Sequence, residues 1–501
     1  MIKMLRKIRI ILAAIVYVLI TLLFLDFTGT MHHWFSWLAQ IQFVPAVLAL
    51  NFVVVAVLLI VTWIFGRVYC SIICPMGVFQ DVVEWLHNRR KKNRYTYSKE
   101  KRWLRYTLLV IWVAAFVMGV GAFVALLAPY SSYGRIATNL FQPVWELANN
   151  GLAYLCERID SYAFYSTDVW IRSMPTFVIA AVTFLVIVIL AWRNGRTYCN
   201  TICPVGTLLS FVSRFSLFKV RFDADKCRSC SLCSKNCKSS CIDFKTHTVD
   251  YSRCVTCGNC ISNCKFGALS YSLSRKSSDS RDSTASGNPS PSIDSSKRTF
   301  LASSVMVTTA ILAQEKKKVD GGLAKIEGKT VPQRHTPLTP PGSLSAQNMA
   351  RRCTGCQLCV SECPNNVLRP STDLLKLMQP TMSYERGYCR PECTRCSKVC
   401  PTGAIQPIRH EQKASLQIGH AVWIKKNCIP LTDGVECGNC ARHCPTGAIE
   451  MVPSDPNDET SAYIPAINEA RCIGCGACEH LCPARPLSAI IVEGHEVHRE
   501  I

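Results

Sequence analysis

The 501-residue chain has no glycine-rich nucleotide fingerprint, no C-x-x-C-H haem attachment and no recognisable catalytic triad. Those absences exclude the usual routes to nicotinamide or flavin chemistry, to c-type haem and to triad hydrolysis. Acidic residues are scarce too: 34 stand against 56 lysines and arginines, for a formal charge of +22. Such a surplus would suit nucleic acid in a soluble chain. Here 49% of the residues are hydrophobic and the first two hundred carry long apolar runs, so membrane lipid is the expected partner and nucleic acid is not.

Apolar segments at about 9–27, 41–65, 106–129 and 174–192 are each near the ~20 residues that a spanning helix needs. The expectation is an α-helical membrane domain of four transmembrane helices over 1–215. Lysine and arginine crowd the N-terminus and the loop between the second and third segments. The stretch Asp26–Gln40 has neither, and 130–173 has only Arg135, Arg158 and Arg172. The basic ends should therefore be cytoplasmic and the sparse loops outside.

The membrane unit is duplicated. G-R-V-Y-C-S-I-I-C-P-M-G at Gly66–Gly77 recurs as G-R-T-Y-C-N-T-I-C-P-V-G at Gly195–Gly206. Cys70, Cys74, Cys199 and Cys203 should then meet at the cytoplasmic membrane surface, as an additional redox or metal site. The plainer alternative is that Gly-Arg and Cys-Pro merely end and restart helices.

Thirty cysteines need a chemical explanation, either a disulfide framework or a metal framework. Spacing decides. Cys227, Cys230, Cys233 and Cys237, then Cys254, Cys257, Cys260 and Cys264, each follow C-x2-C-x2-C-x3-C, the pattern of a two-cluster 4Fe-4S ferredoxin. Zinc ribbons need only paired C-x2-C. In the two-cluster pattern the fourth cysteine serves the other cluster. Cys264 is thus grouped with Cys227, Cys230 and Cys233, and Cys237 with Cys254, Cys257 and Cys260. Lys238 and Lys265 replace the usual proline, and Cys241 is an extra thiol, either a substitute for Cys237 or no ligand at all. Cys156 is read as a small residue of an outer loop.

Four further groups follow: Cys353, Cys356, Cys359 and Cys363; Cys389, Cys393, Cys396 and Cys400; Cys428, Cys437, Cys440 and Cys444; Cys472, Cys475, Cys478 and Cys482. Each ends in Cys-Pro, and C-P-T-G-A-I occurs identically at Cys400–Ile405 and Cys444–Ile449. About six clusters are expected in all, and with about −2 on each they bring the formal charge to roughly +10. Gly258, Gly355, Gly438, Gly474 and Gly476 lie between ligands, where backbone amides can approach sulfur. Spacing alone leaves open which C-terminal groups exchange their fourth cysteines.

The ferredoxin regions, 216–273 and 319–501, should be α+β bacterial ferredoxin-like domains. Between them, 274–298 is a polar, flexible linker, and 299–318 is a signal-like or fifth membrane segment. S-K-R-T-F-L at Ser296–Leu301, followed by about 15 apolar residues, resembles a twin-arginine export signal. Export would put the first ferredoxin domain in the cytoplasm and the C-terminal one in the periplasm.

On these motifs, residues 1 to about 272 resemble the NapH and MauN type of membrane ferredoxin, and 296–501 the NapG and MauM type, as a fusion of the two. The resemblance implies a multi-pass protein of the cytoplasmic membrane in a quinol dehydrogenase module. It would take electrons from the quinone pool and pass them to a periplasmic cytochrome or reductase. Asp26, His32, His33, Glu84 and His87 are the residues able to take a quinol proton near a membrane face. The C-terminal pattern also resembles electron-transfer subunits of molybdenum oxidoreductases, which implies nesting: first group with last, middle two together. A CcoG-like donor for metal-centre maturation is the alternative function.

Overall fold

The computed structural model describes residues 2–26, 28–90, 95–223, 225–273 and 327–501. The linker and the signal-like segment lie outside the described residues.

Among the described residues, two helices are long and apolar enough to cross a membrane, Arg6–Leu25 within the first helix Ile2–Leu25, and Met174–Asn194. The other two expected spans are not continuous. The segment 41–65 divides into Phe43–Leu48 and Phe52–Phe65. Leu50 takes a left-handed conformation there (φ 56°), and Asn51 caps the second piece by accepting from the Val54 amide at 3.2 Å. Similarly, 106–129 becomes Arg102–Val117 and Gly121–Leu127, parted at Gly119 (φ 77°). A left-handed residue cannot extend the right-handed ladder, so hydropathy reads one span where the backbone makes two helices.

The stretch read as an outer loop differs as well. Pro129–Ile136, a π-helical turn at Ala137–Phe141 and Gln142–Glu157 follow one another without interruption, and every residue of the first piece is buried. Cys156 therefore sits on a helix. Arg135, fully buried, donates to the carbonyls of Ala125 (2.8 Å) and Leu126 (3.3 Å) and to Ser132 Oγ (3.1 Å). Those bonds satisfy both terminal nitrogens of the buried guanidinium and so offset part of the cost of burying its charge.

In the first ferredoxin region Phe218–Phe222 pairs antiparallel with Leu269–Leu273, and the short strands Ile242–Asp243 and Thr248–Val249 pair with each other. In the C-terminal region the pairs are Leu368–Pro370 with Pro380–Met382, Leu416–Trp423 with Ile490–Glu500, and Ile449–Asp455 with Asp458–Ile467. These small sheets carry the cysteine loops.

The two regions contact opposite ends of the first helix. Near its start, Arg6 donates to Ser262 (2.9 Å), and Tyr271 donates to the Phe65 carbonyl (2.9 Å). Just past its other end, His32 Nε2 lies 3.3 Å from Glu362, and Asn139 donates to Gln357 at 2.7 Å. Twenty helical residues separate Arg6 from Asp26, about 30 Å. One buried apolar core runs from Ile20 and Phe24 in the bundle to Leu358 and Ile418 in the C-terminal region, so that region is packed on the helices rather than tethered to them.

Candidate functional site

Most of the expected ligand cysteines gather around shared cavities. In the first ferredoxin region Cys237, Cys254, Cys257 and Cys260 line one cavity together with Cys241. Cys227 and Cys230 lie beside Cys233. Cys241, 1% exposed, puts its sulfur 3.5 Å from that of Cys237 and also approaches Cys254. Two thiols thus address one corner of that cavity, and both alternatives for Cys241 remain sterically open.

In the C-terminal region Cys363 lines a cavity with Cys389, Cys393 and Cys396, while Cys400 faces Cys353, Cys356 and Cys359. Cys482 lines a second cavity with Cys428, Cys437 and Cys440, and Cys444 faces Cys472, Cys475 and Cys478. The expected nesting is therefore corrected. Each group exchanges its fourth cysteine with its neighbour in sequence, first with second and third with fourth. The reason is local packing: a fourth cysteine leaves its helix directly into Cys-Pro, and the nearest cube is the one held by the adjoining repeat. The two units meet where the Cys389 amide donates to the Cys475 carbonyl at 2.9 Å.

These sites fit 4Fe-4S cubes. Five of them, all but that of Cys227, Cys230 and Cys233, bring four thiols together, and amides already point at the sulfurs: Gly355 to Cys353 (3.4 Å), Ile405 to Cys400 (3.4 Å), Ala448 to Cys444 (3.2 Å) and Ala489 to Cys482 (3.3 Å). Such bonds stabilise thiolate and tune the cluster. The ligand loops turn through left-handed residues on both sides of a central cysteine, at Ser229 and Ser231, Thr256 and Gly258, Gly355 and Gln357, and Gly474 and Gly476. Gly438, in the longer third loop, has φ −165° and is not left-handed. Glycine is indispensable at Gly476, where an added Cβ would lie 2.3 Å from the Tyr384 ring.

The duplicated motif places Cys70, Cys74, Cys199 and Cys203 together, all at most 4% exposed. They lie beneath the first ferredoxin region, not on an open surface: Arg67 Nη1 donates to Asn200 (2.9 Å) and to the Ser252 carbonyl (3.1 Å). The helix-punctuation reading holds alongside. Gly66 (φ 76°) and Gly195 (φ 65°) end one helix, and Pro75 and Pro204 open the next.

Of the residues expected to accept a proton, Asp26 and His32 come together with Glu362, which precedes Cys363. Their ligand atoms all lie within 4.8 Å, and all three residues are buried. Burial would raise the Asp26 carboxyl, yet hydrogen bonds from Thr28, Gly29 and Met31 hold it below its ordinary value. Glu362 is pushed up to about 7 by burial and by the charge of Asp26. Glu362 was invisible to sequence reasoning, because nothing in its local motif distinguishes it from a solvated acid. Glu84 and His87 lie toward the other region, with Glu84 3.9 Å from Lys238 Nζ, and His33 is exposed.

Family models match the same cysteine-bearing stretches. A 4Fe-4S binding domain matches 47–94 and again 176–223, covering both copies of the duplicated motif. A 4Fe-4S dicluster domain matches 352–404 and 435–485, the two exchanging units. The chain is 25% identical over 195 residues to the putative electron transport protein YccM of Escherichia coli, covering 39% of this chain and 48% of that protein. It is 30% identical over 166 residues to the methylamine utilization ferredoxin-type protein MauM of Methylobacillus flagellatus, covering 32% of this chain and 70% of the relative. To MauN of Paracoccus denitrificans it is 27% identical over 175 residues, covering 34% and 48%. The chain thus spans about half the length of YccM and MauN.

Proposed function

Because the chain belongs to the ferredoxin-type iron-sulfur family that includes MauM, as a fusion of the MauN-like and MauM-like kinds, we propose that it carries electrons from a membrane quinol pool through six 4Fe-4S clusters to a redox protein beyond the membrane. The single observation that carries this reading is the placement of cysteine groups at both ends of an apolar helix about 30 Å long, in a bundle that holds a second helix of spanning length. Clusters in series at both ends of a bundle suit transfer across it. Each cluster passes one electron at a time.

In this reading the helical domain crosses the cytoplasmic membrane four times, the two interrupted apolar segments serving as spans. The basic loops stay inside with the first ferredoxin domain, and the C-terminal domain faces the periplasm. Half-helices at membrane depth are tolerated where neighbouring protein covers the freed backbone groups. The Asp26, His32 and Glu362 group, at the seam with the C-terminal region and one residue from Cys363, is able to take up a proton there.

The test is anaerobic. Protein reconstituted with a menaquinol or ubiquinol analogue should show bleaching of its cluster absorbance. No reduction by quinol, with full reduction by dithionite, would remove the proposed donor. Sidedness is read separately: a C-terminal alkaline phosphatase fusion should be active, and an inactive one contradicts a periplasmic C-terminal domain.

A further inference from the structure

Two residues at the far end of the first helix have buried polar atoms with nothing to bond. His32 is 6% exposed and Glu362 3%, and among the described residues neither ring nitrogen of His32 nor Oε2 of Glu362 has a hydrogen-bond partner. Buried polar atoms are nearly always paired, so bare ones on facing side chains need an explanation. From this geometry we propose that Asp26, His32 and Glu362 hold a divalent transition-metal ion of the zinc class, which fastens the C-terminal region to the end of the first helix. The site stands on these three side chains and goes beyond the electron-transfer reading, since it needs neither a particular donor nor a particular acceptor.

The distances suit such an ion. Nitrogen and oxygen ligands about 2.0 to 2.1 Å from a tetrahedral metal lie about 3.3 to 3.4 Å from one another. His32 Nε2 stands 3.3 Å from Glu362 Oε2, at that separation but out of hydrogen-bonding geometry. Ligand atoms of all three residues fall within 4.8 Å of one another, so small side-chain rotations bring Asp26 to the same centre. The ligand types agree. Imidazole with carboxylates suits zinc and its neighbours, whereas calcium and magnesium take oxygen shells. Three protein ligands leave a fourth position for water.

The groups that would orient these ligands are in place. Asp26 Oδ1 accepts from the amides of Thr28 (2.9 Å) and Gly29 (3.0 Å) and from Thr28 Oγ1 (2.7 Å). Oδ2 accepts from the Met31 amide at 2.8 Å, one bond against three, and keeps a lone pair for an ion. The Leu23 carbonyl stands beside the His32 ring, just short of a hydrogen bond. Metal-bound imidazoles commonly give their second N–H to such a carbonyl. Gly29 closes the turn over Glu362: its φ is 84°, and an added Cβ would lie 2.8 Å from Glu362 Oε1. Only glycine lets the backbone come that near the carboxylate.

Charge argues the same way. Glu362 Oε1 faces one guanidinium, Arg395 Nη1 at 3.5 Å, on a side chain that is 40% exposed. Asp26 is met by amides and a hydroxyl rather than by a lysine or arginine. Two carboxylates close together in a buried seam repel, and either a proton or a metal ion relieves them. A proton on Glu362 serves the pair with His32 alone. A divalent ion serves all three residues at once.

The ion would join residues 26 and 362, which belong to different regions of the chain. Binding free energy at such a joint is docking free energy. Glu362 also precedes Cys363, so the added positive charge raises the reduction potential of the cluster that Cys363 shares with Cys389, Cys393 and Cys396.

The experiment uses the full chain, purified without oxygen with its clusters loaded, freed of loose metal with a chelator and dialysed against zinc chloride. The parent and H33Q, which alters the exposed neighbour, should retain about one zinc per chain, and H32Q and E362Q should bind it about a hundredfold more weakly or worse. The zinc K-edge spectrum of the parent should show nitrogen and oxygen at about 2.0 to 2.1 Å and no sulfur near 2.3 Å, which separates this site from zinc lodged in a cysteine group. Zinc should raise the unfolding midpoint of the parent and leave that of E362Q in place. Should H32Q and E362Q fail to fold, the zinc content and edge spectrum of the parent decide. No zinc in the parent, sulfur ligation, binding that survives in folded H32Q and E362Q, or equal weakening by H33Q overturns the site. A parent without zinc leaves a proton on Glu362 as the occupant. Reduction of the clusters by quinol is read separately, so this site and the proposed donor fail independently.

Discussion

Replacing Asp81 by asparagine should destabilise the protein by about 3 to 5 kcal/mol, the range for breaking a buried ion pair from one side. Asp81 Oδ1 accepts from Arg196 Nε at 2.7 Å, its Oδ2 lies 2.6 Å from Arg196 Nη2 and 2.5 Å from Lys238 Nζ, and Arg9 stands at 3.6 Å. The carboxylate is 17% exposed and its two nearest cations are 1% and 4% exposed, so little water is available to replace it. D81N keeps the shape and removes the one charge that holds the helical domain, the duplicated motif and the first ferredoxin region to a common point. Burial alone would raise this carboxyl, but Arg196 and Lys238 draw it well below the usual carboxylate range. A depressed native value means the stabilisation is complete above the unfolded pKa of about 3.9 and is lost as pH falls through the lower native value. The gap between parent and D81N should therefore be constant from pH 5 to 8 and shrink in stronger acid. The assay is anaerobic unfolding in detergent, followed by loss of cluster absorbance. A double variant D81N/K238M should recover part of the loss, because it removes one of the stranded cations. A gap below about 1 kcal/mol, or one that widens on acidification, would refute the reasoning.

Fourth-cysteine exchange can be read directly: Cys363→Ser should perturb the same cluster signal as Cys389→Ser in EPR spectra, and Cys482→Ser the same signal as Cys428→Ser. A match between Cys363→Ser and Cys472→Ser would restore nesting. Cys241→Ala should leave the iron count unchanged and shift one potential by on the order of tens of millivolts, since a thiol 3.5 Å from Cys237 sulfur is lost; falling iron would make Cys241 the ligand. Asn139→Leu strands the buried Gln357 amide and should weaken packing of the C-terminal region by about 1 to 3 kcal/mol, measured by differential scanning calorimetry. Trp170→Ala removes the ring that Arg369 and Arg386 both cover at 4.6 Å, for a smaller loss of about 1 kcal/mol in the same measurement.

Cluster chemistry was legible in the sequence because ligands three residues apart on one loop are a local matter: C-x2-C-x2-C sets three corners whatever surrounds it. The duplication at Cys70 and Cys199, and the apolar character of Arg6–Leu25 and Met174–Asn194, were equally readable, since both are properties of contiguous residues. Four things waited for the tertiary structure. Which cube receives Cys363 or Cys482 depends on which repeat packs alongside. The breaks at Leu50 and Gly119 are single backbone conformations that hydropathy averages away. The burial of Pro129–Ile136 depends on partners that satisfy Arg135, and without them its polar residues read as a loop. Glu362 meets Asp26 and His32 only because the C-terminal region docks at the far end of the first helix, a contact between residues more than three hundred positions apart. Local spacing determined the cofactor, and long-range packing decided the order in which the cofactors stand.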